Sequence, residues 1–452
     1  MNIIICASEL AASVSAVGSH KDEIAAGELP AVYRQVFERF GKVFVVGSVS
    51  DIPALLQSQK AQASACVYLS YCLPDELTQS IPCPVVFVFG WQYSSLPDEP
   101  WGGNLNHDWR KPLSASAGAI SFSSHGAGVI RDTMGEDFHV ATAPLPLWDE
   151  FSSLGDDPGP RNPKRRHMIR CRQTPLDSAL IDFTQEQGVS LRAVLEADNP
   201  EGVVVELHGI VYTAVVDPSD ELSNWQDFLS AFCWAFRDRV DVKLVVVIGD
   251  AEVLSAYGAI LKSLYDLEPV ECRVVVICES LPQEQYDQLV SGSSYIVNSA
   301  FAEAQCQPLM EFMSAGVPAI APDHTAMSDY VDKDSALVVA SSLEWVPWPH
   351  DPRMVRRTFR HRINWASLLG AFEDSYRLAV ENPQGYAAMS RSAEGKQANF
   401  CSVEEVQKGL LDFFSGDRFL LASDAVVDAD AGGLATGFMT GMRHLLKKFL
   451  RR

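Results

Sequence analysis

Positive charge is scarce in this chain: 36 Lys and Arg stand against 58 Asp and Glu in 452 residues, a formal net charge of -22. Phosphate backbones are bound by clustered basic side chains, and no interleaving of basic and aromatic residues offsets the acidity, so no nucleic-acid partner is expected. No apolar run approaches the roughly 18 residues that a spanning helix needs. The opening "MNIIICASEL" has no basic leader region, and its apolar run stops at Ser8 and Glu9, so it reads as a first strand and not as a signal peptide. The ten cysteines form no CxxC pair and mostly sit in apolar runs. That argues against a zinc site or a disulfide frame, and for reduced thiols in a cytoplasmic protein.

What the chain does have is 47% hydrophobic content, enough for two or three domains with real cores. Short β-rich runs such as "NIIIC", "KVFVV", "CVYLS" and "PVVFVFG" alternate with amphipathic stretches over residues 1–151. Buried strands joined by crossover helices make a parallel sheet. Residues 152–166, "SSLGDDPGPRNPKRR" with Arg166 at the end, bury little and read as a linker. A second alternation fills 167–415, with "GIVYTAVV", "VKLVVVIG" and "CRVVVICE" as its strands. Between Asn224 and Asp238, Trp225, Phe228, Leu229, Phe232 and Phe236 fall on one helical face. After about Ser342 the chain is expected to turn helical. The fold class predicted is therefore α/β, two doubly wound Rossmann-like domains facing a cleft, closed by C-terminal helices. In open parallel sheets ligands sit beyond the carboxyl ends of the strands.

The segment from Ser299 to Pro322, "SAFAEAQCQPLMEFMSAGVPAIAP", is the most informative. It reads as a loop after a strand, then a helix with Pro308 at its first position and Gly316 as its C-terminal cap. Glu303 is placed in the loop and Glu311 on the first helical turn, both toward the cleft. Two such carboxylates suit vicinal hydroxyls, and a free helix N-terminus suits a pyrophosphate. The glutamates, Pro308-Leu309, the small-glycine pair and Pro318 together resemble the E-x7-E segment of the retaining glycosyltransferases of family 4, GT-B enzymes that use nucleotide-diphosphate sugars. The resemblance is closest to the bacterial surface-polysaccharide group, such as O-antigen enzymes.

That resemblance implies a donor site of Glu303, Ala304, Gln305, Pro308, Leu309, Glu311, His324 and Thr325, with Glu303 on the hexose and Glu311 on the ribose. It implies no metal and no cofactor beyond the donor itself. Partners would be a nucleotide sugar, a glycan or lipid-linked acceptor, and a glycosyltransferase partner subunit. The chain departs from the pattern where the leaving diphosphate would need donors aimed at it. The loop from Gly209 to Trp225 holds no Lys or Arg; Leu222 and Ser223 stand where a basic pair is expected, and Ala302 and Ala304 replace glycines. Two accounts stay open. Either His208, His324, Arg165 or Arg166 supplies the charge, or the protein is a pseudoenzyme, a silent GT-B subunit of a polysaccharide assembly. A sugar-nucleotide epimerase is a third reading.

On the acceptor side Trp91, Tyr93, His107 and Arg110 are expected near the cleft, and His125, at a helix start, joins Glu303 as a catalytic candidate. Residues 416–436 read as an acidic spacer. The final "GFMTGMRHLLKKFLRR", 437–452, reads as a basic amphipathic helix suited to an anionic membrane surface. It implies a peripheral position at the cytoplasmic face of an inner membrane. Deleting 437–452 is expected to lower sedimentation with anionic liposomes; unchanged sedimentation would remove that reading.

Overall fold

The computed structural model describes residues 1–6, 8–9, 31–59, 66–155, 166–181, 202–248, 253–349, 351–415 and 419. The spacer 416–436 (Phe419 apart), the terminal helix 437–452 and Arg165 lie outside the described residues.

Two parallel sheets form the two halves. The first has β1 (Asn2–Cys6), β2 (Val43–Val46), β3 (Cys66–Ser70), β4 (Val85–Phe89), β5 (Gly118–Ser121) and β6 (Val140–Thr142), in the order β2-β1-β3-β4-β5-β6. Its strands are short and β-branched because both faces are covered; β1 is buried along its whole length. Helices α1 (Ala31–Glu38), α2 (Ile52–Gln59), α3 (Arg110–Ser114), α4 (Ser124–Met134) and α5 (Trp148–Phe151) belong to this half. The stretch expected to begin the linker continues α5 as one 3-10 turn, Ser152–Gly155.

In the second half β7 (His167–Cys171) pairs with β9 (Val203–Leu207) as a separate antiparallel ribbon. The main sheet runs β15-β14-β13-β10-β11-β12-β8. Here β8 is Leu176–Asp177, β10 Ile210–Val216, β11 Val242–Ile248, β12 Arg273–Ile277, β13 Tyr295–Val297, β14 Ala319–Ala321 and β15 Ala336–Val338. Only β8 is antiparallel to its neighbour. The helices are α6 (Trp225–Ala235), α7 (Val253–Leu267), α8 (Gln283–Gly292), α9 (Gln307–Ser314), α10 (Trp365–Glu381), α11 (Pro383–Cys401) and α12 (Val403–Phe414). The predicted apolar face of α6 is buried: Phe228, Leu229 and Phe232 are all at most 1% exposed. Phe232 meets Tyr212 and Phe372 edge to face.

One expectation fails. Residues after Ser342 do not turn directly helical; β16 (Ser341–Pro347) and β17 (Arg356–Ile363) first form an antiparallel ribbon. Their alternating polar and apolar residues have the period of a strand, two, and not that of a helix. No helix among the described residues is long and apolar enough to cross a membrane.

Several contacts tie the halves, two of them through helix ends. Helix α12 crosses back onto the first half, where Arg39 Nη1 donates to Gln407 Oε1 at 2.9 Å and His139 stacks on Phe413 at 4.1 Å. Asp329, from the second half, accepts from the backbone N–H of Ser124 at 2.8 Å and from its hydroxyl, capping the N-terminus of α4. An anion at that helix end satisfies a free N–H and the helix dipole. Asp329→Ala should lower stability by about 1 kcal/mol, read as a fall in denaturant midpoint, whereas Asp329→Ala in a Ser124→Ala background should cost less.

Candidate active site

Between the two sheets, at the carboxyl ends of their strands, lies a cavity of about 740 Å³. The second half supplies its floor. The loop after β13 is held rigidly: Ser299 Oγ donates to Asn224 O and Asn224 Nδ2 donates to Ser299 O, both at 3.0 Å, and Phe301 N–H donates to Leu222 O at 2.8 Å. The first half supplies the roof, including Gly90, Phe122 and Leu145. A Cβ on Gly90 would stand 2.7 Å from the Ala304 Cβ, so only glycine lets β4 end this close to the loop.

Glu303 lines this cavity. Its carboxylate accepts from Asn298 Nδ2 at 2.9 Å and its backbone N–H donates to Thr325 Oγ1 at 3.0 Å. Burial, against the help of Asn298 and with the push of Asp220, raises its pKa to about 7. At neutral pH Glu303 both accepts hydrogen bonds and, when protonated, donates one. Thr325 and Cys306 flank it with φ of 51 and 56. A non-glycine residue in that region costs about 1 to 3 kcal/mol, and the hydrogen bonds around Glu303 hold both in place.

Helix α9 begins beside it, with Pro308 in its first turn and no side-chain cap from Cys306. Gln305 and Gln307, 7% and 5% exposed, line the cavity there, and Gln305 Nε2, Gln307 Oε1 and the Ser223 hydroxyl have no partner among the described residues. Buried polar atoms are rarely left unpaired, so these three mark where a polar ligand or water completes the site. Charge is distributed one-sidedly. Glu9, Glu76, Asp217, Asp220 and Glu303 line the cavity, and no Lys, Arg or His does so among the described residues.

The predicted donor residues divide. Glu303, Ala304, Gln305 and Pro308 line the cavity; Leu309, Glu311, His324 and Thr325 do not. Leu309 is a core residue at 0% exposure. Glu311 lies one turn further into α9 than expected and is 0% exposed. Tyr286 donates its hydroxyl to Glu311 Oε2 at 2.5 Å and Gln307 Nε2 donates to Oε1 at 2.8 Å, so its oxygens serve the fold and face no ribose. Thr325 contributes through the backbone of Glu303.

His324 is buried, stacked on His361 at 4.1 Å. Its Nε2–H donates to Ala300 O at 3.2 Å and Nδ1 accepts from Ser341 Oγ at 2.8 Å, which fixes the tautomer. Burial and the neighbouring His361 lower its pKa to about 3, so it is neutral and supplies no charge to a leaving diphosphate. Arg166, beside Glu206, and His208, at the end of β9, do not line the cavity either. Leu222 turns away to pack on aromatic residues of the first half.

None of the acceptor-side candidates lines the cavity. Trp91 is 2% exposed and packs on Trp109 and Tyr93, the latter 8% exposed. His107 stacks on Trp101 and bonds its carbonyl at 2.9 Å. Arg110 is clamped by Asp108 at 2.8 Å. His125 Nε2 donates to Tyr93 O at 3.3 Å, and burial lowers its pKa. Gln307, Asn298 and Ser223 were not singled out as ligand-binding residues in the sequence, although Gln307 stands four positions from each of Glu303 and Glu311.

No protein-family profile matches the chain, and no curated protein matches it. Solved structures do. HepE from Anabaena, in complex with UDP, is similar over 92% of this chain and 100% of its own, with 12% identity and a TM-score of 0.51. A glycosyltransferase from Rickettsia africae is similar over 93% of this chain and 98% of its own, with 10% identity and a TM-score of 0.53. The chain spans 58% of the length of a S. aureus TarM variant, matching over 80% of itself at 10% identity and a TM-score of 0.48. The fold is GT-B: two Rossmann-like domains facing a cleft.

Glu303 gives a pH test. Its folded pKa of about 7 lies above the ordinary 4.5, so its proton is bound more tightly folded than unfolded. That contribution to stability is complete below pH 4.5 and is lost as pH rises through about 7, amounting to at most about 3 kcal/mol. Glu303→Gln, which stays neutral, should flatten this decline and be the more stable protein at pH 8, as read by denaturant melts across pH.

Proposed function

We propose that the protein is a retaining glycosyltransferase of family 4 type, moving a hexose or deoxyhexose from a nucleotide-diphosphate sugar to a growing, lipid-linked bacterial surface glycan. The observation that carries this reading is the interdomain cavity lined by Glu303, with the amide atoms of Gln305 and Gln307 that lack partners among the described residues beside the start of α9. Glu303 would hold a hexose hydroxyl, and the start of α9 would face the diphosphate with its free N–H groups. The complex of HepE with UDP, in the same fold, supports a nucleotide in this cleft. Under this reading residues 167–415 hold the donor and 1–151 face the acceptor. Residues 437–452 would keep the protein at the cytoplasmic face of an inner membrane. No resident metal or cofactor enters the reaction.

One observation favours a second reading. A diphosphate entering a cavity lined by five carboxyl groups and no described base meets like charge at short range, where it is poorly screened. A silent GT-B subunit, partner to an active transferase, accounts for that lining.

Titration calorimetry with UDP, GDP, dTDP and ADP, and with the matching sugar nucleotides, separates the two. A transferase should bind one nucleotide in the micromolar range, and Glu303→Ala should weaken the sugar nucleotide while leaving the bare nucleotide unchanged. If the wild type binds none and Ser223→Lys binds one, the acid lining is the obstacle and the subunit is silent. Failure of both proteins to bind would remove the cavity as a nucleotide site.

A further inference from the structure

The five carboxyl groups that line the cavity stand in two sets. Glu9 and Glu76, from the first half, share one neighbourhood: burial pushes the Cys72 thiol up to about 12, and both glutamates add to it. Glu9 Oε2 accepts from Tyr71 N–H at 2.9 Å and from Ser70 Oγ at 3.1 Å, and Glu76 Oε2 accepts from Leu73 N–H at 2.9 Å. The chain at the end of β3 and just after it therefore fixes both. In the second half burial raises the pKa of Asp220, with Asp217 adding to it, and burial and then Asp220 raise that of Glu303. Like charges in an enclosed space are poorly screened, so a cation entering this cavity removes a cost that the protein otherwise carries.

Hydrogen bonding narrows what that cation is. Gln307 Nε2 donates to Glu311 at 2.8 Å, so the amide atom left without a partner among the described residues is Oε1, an acceptor. Gln305 Oε1 accepts from Leu145 N–H at 3.3 Å, so the atom left over is Nε2, a donor. Both side chains are buried, and a hydroxyl, which donates and accepts, answers both. Tyr71, Phe89 and Phe122 add apolar wall of the kind that small-ligand cavities use. No three His, Cys, Asp or Glu side chains are grouped to hold a metal ion among the described residues. A neutral sugar would satisfy the glutamines and leave the carboxyl groups without a counter-charge, whereas a sugar with an ammonium group satisfies both.

We propose that the glycan this cavity takes is an amino sugar with a free amine, its ammonium group against Glu9 and Glu76 of the first half and its hydroxyl groups toward Gln305 and Gln307 of the second. The proposal rests on the reading of the cavity as a glycan site and does not depend on nucleotide binding. Acetylation of the amine removes its charge and with it the reason for the acidic lining. For a transferase the same ammonium has a second effect, because it offsets the negative charge that a diphosphate meets on entering.

The test is binding of methyl glucosaminide, methyl N-acetylglucosaminide and methyl glucoside to the full chain, followed by saturation-transfer NMR at pH 6. The free amine should bind about tenfold tighter than either neutral sugar. Glu9→Gln with Glu76→Gln should abolish that preference, and Glu284→Gln with Glu381→Gln, both on the surface, should keep it. Thermal melts check each variant; if the cavity pair melts lower, Glu76→Gln alone, at an exposed position, carries the comparison. The proposal is overturned if the amine does not bind, if the three sugars bind alike, or if the preference survives in the cavity variant. Nucleotide titration keeps the two readings apart. A nucleotide bound without any amine preference removes this proposal alone, whereas an amine preference without nucleotide binding supports it in a silent subunit.

Discussion

The geometry of the cleft depends on an approach too close for any side chain. Where β4 ends at Gly90, the first half of the molecule comes against the Ala304 side chain, with no room for a second Cβ between them. Every other interdomain contact is compatible with that distance: the Asp329 carboxylate on the first turn of α4, Gln305 Oε1 accepting from Leu145 N–H at 3.3 Å, and α12 lying across the first half. The two sheets therefore present their carboxyl edges to one enclosed volume.

Within that volume local strain and electrostatics work together. Cys306 and Thr325 hold left-handed backbone conformations, which aim Glu303 inward and start α9 beside it. Asn298 reaches both Glu303 and Cys306, the latter at 3.1 Å. Positive charge has been led elsewhere: Arg110 to Asp108, Arg353 and Arg357 to Glu99, Arg360 and Arg362 to Glu344. The histidines next to the loop are neutral parts of its scaffold. His361 donates through Nδ1 to Ser341, which donates in turn to His324, so the chain of donors ends at Ala300 O.

Much of the fold was legible because a parallel sheet buried on both faces writes continuous apolar strands. β11, "VKLVVVI", is buried throughout, including Lys243, whose amine donates to Glu206 O. The α6 face was legible from spacing, and the strand, loop and helix around Glu303 from Pro308 and Gly316. The site was only half legible. A sequence gives the helical period but not the depth of a helix, so Glu311 was assigned to the cleft when it lies beneath it. In the sequence, aromatic and basic residues near Trp91 look like binding groups, because nothing local distinguishes a ring that packs on Trp109 from one that waits for a sugar. The β16–β17 ribbon was missed for a related reason: its alternation is interrupted by a turn and followed at once by the strong helical pattern from Trp365.

Glu311 has one more consequence. With Tyr286 and Gln307 donating to its two oxygens, the second glutamate is a strut between α8 and α9. The eight-residue interval between Glu303 and Glu311 thus records how a helix is seated against its neighbour. Replacing Glu311 would leave the Tyr286 hydroxyl and the Gln307 amide, both buried, to find other partners, a cost to the helix pair that owes nothing to any ligand.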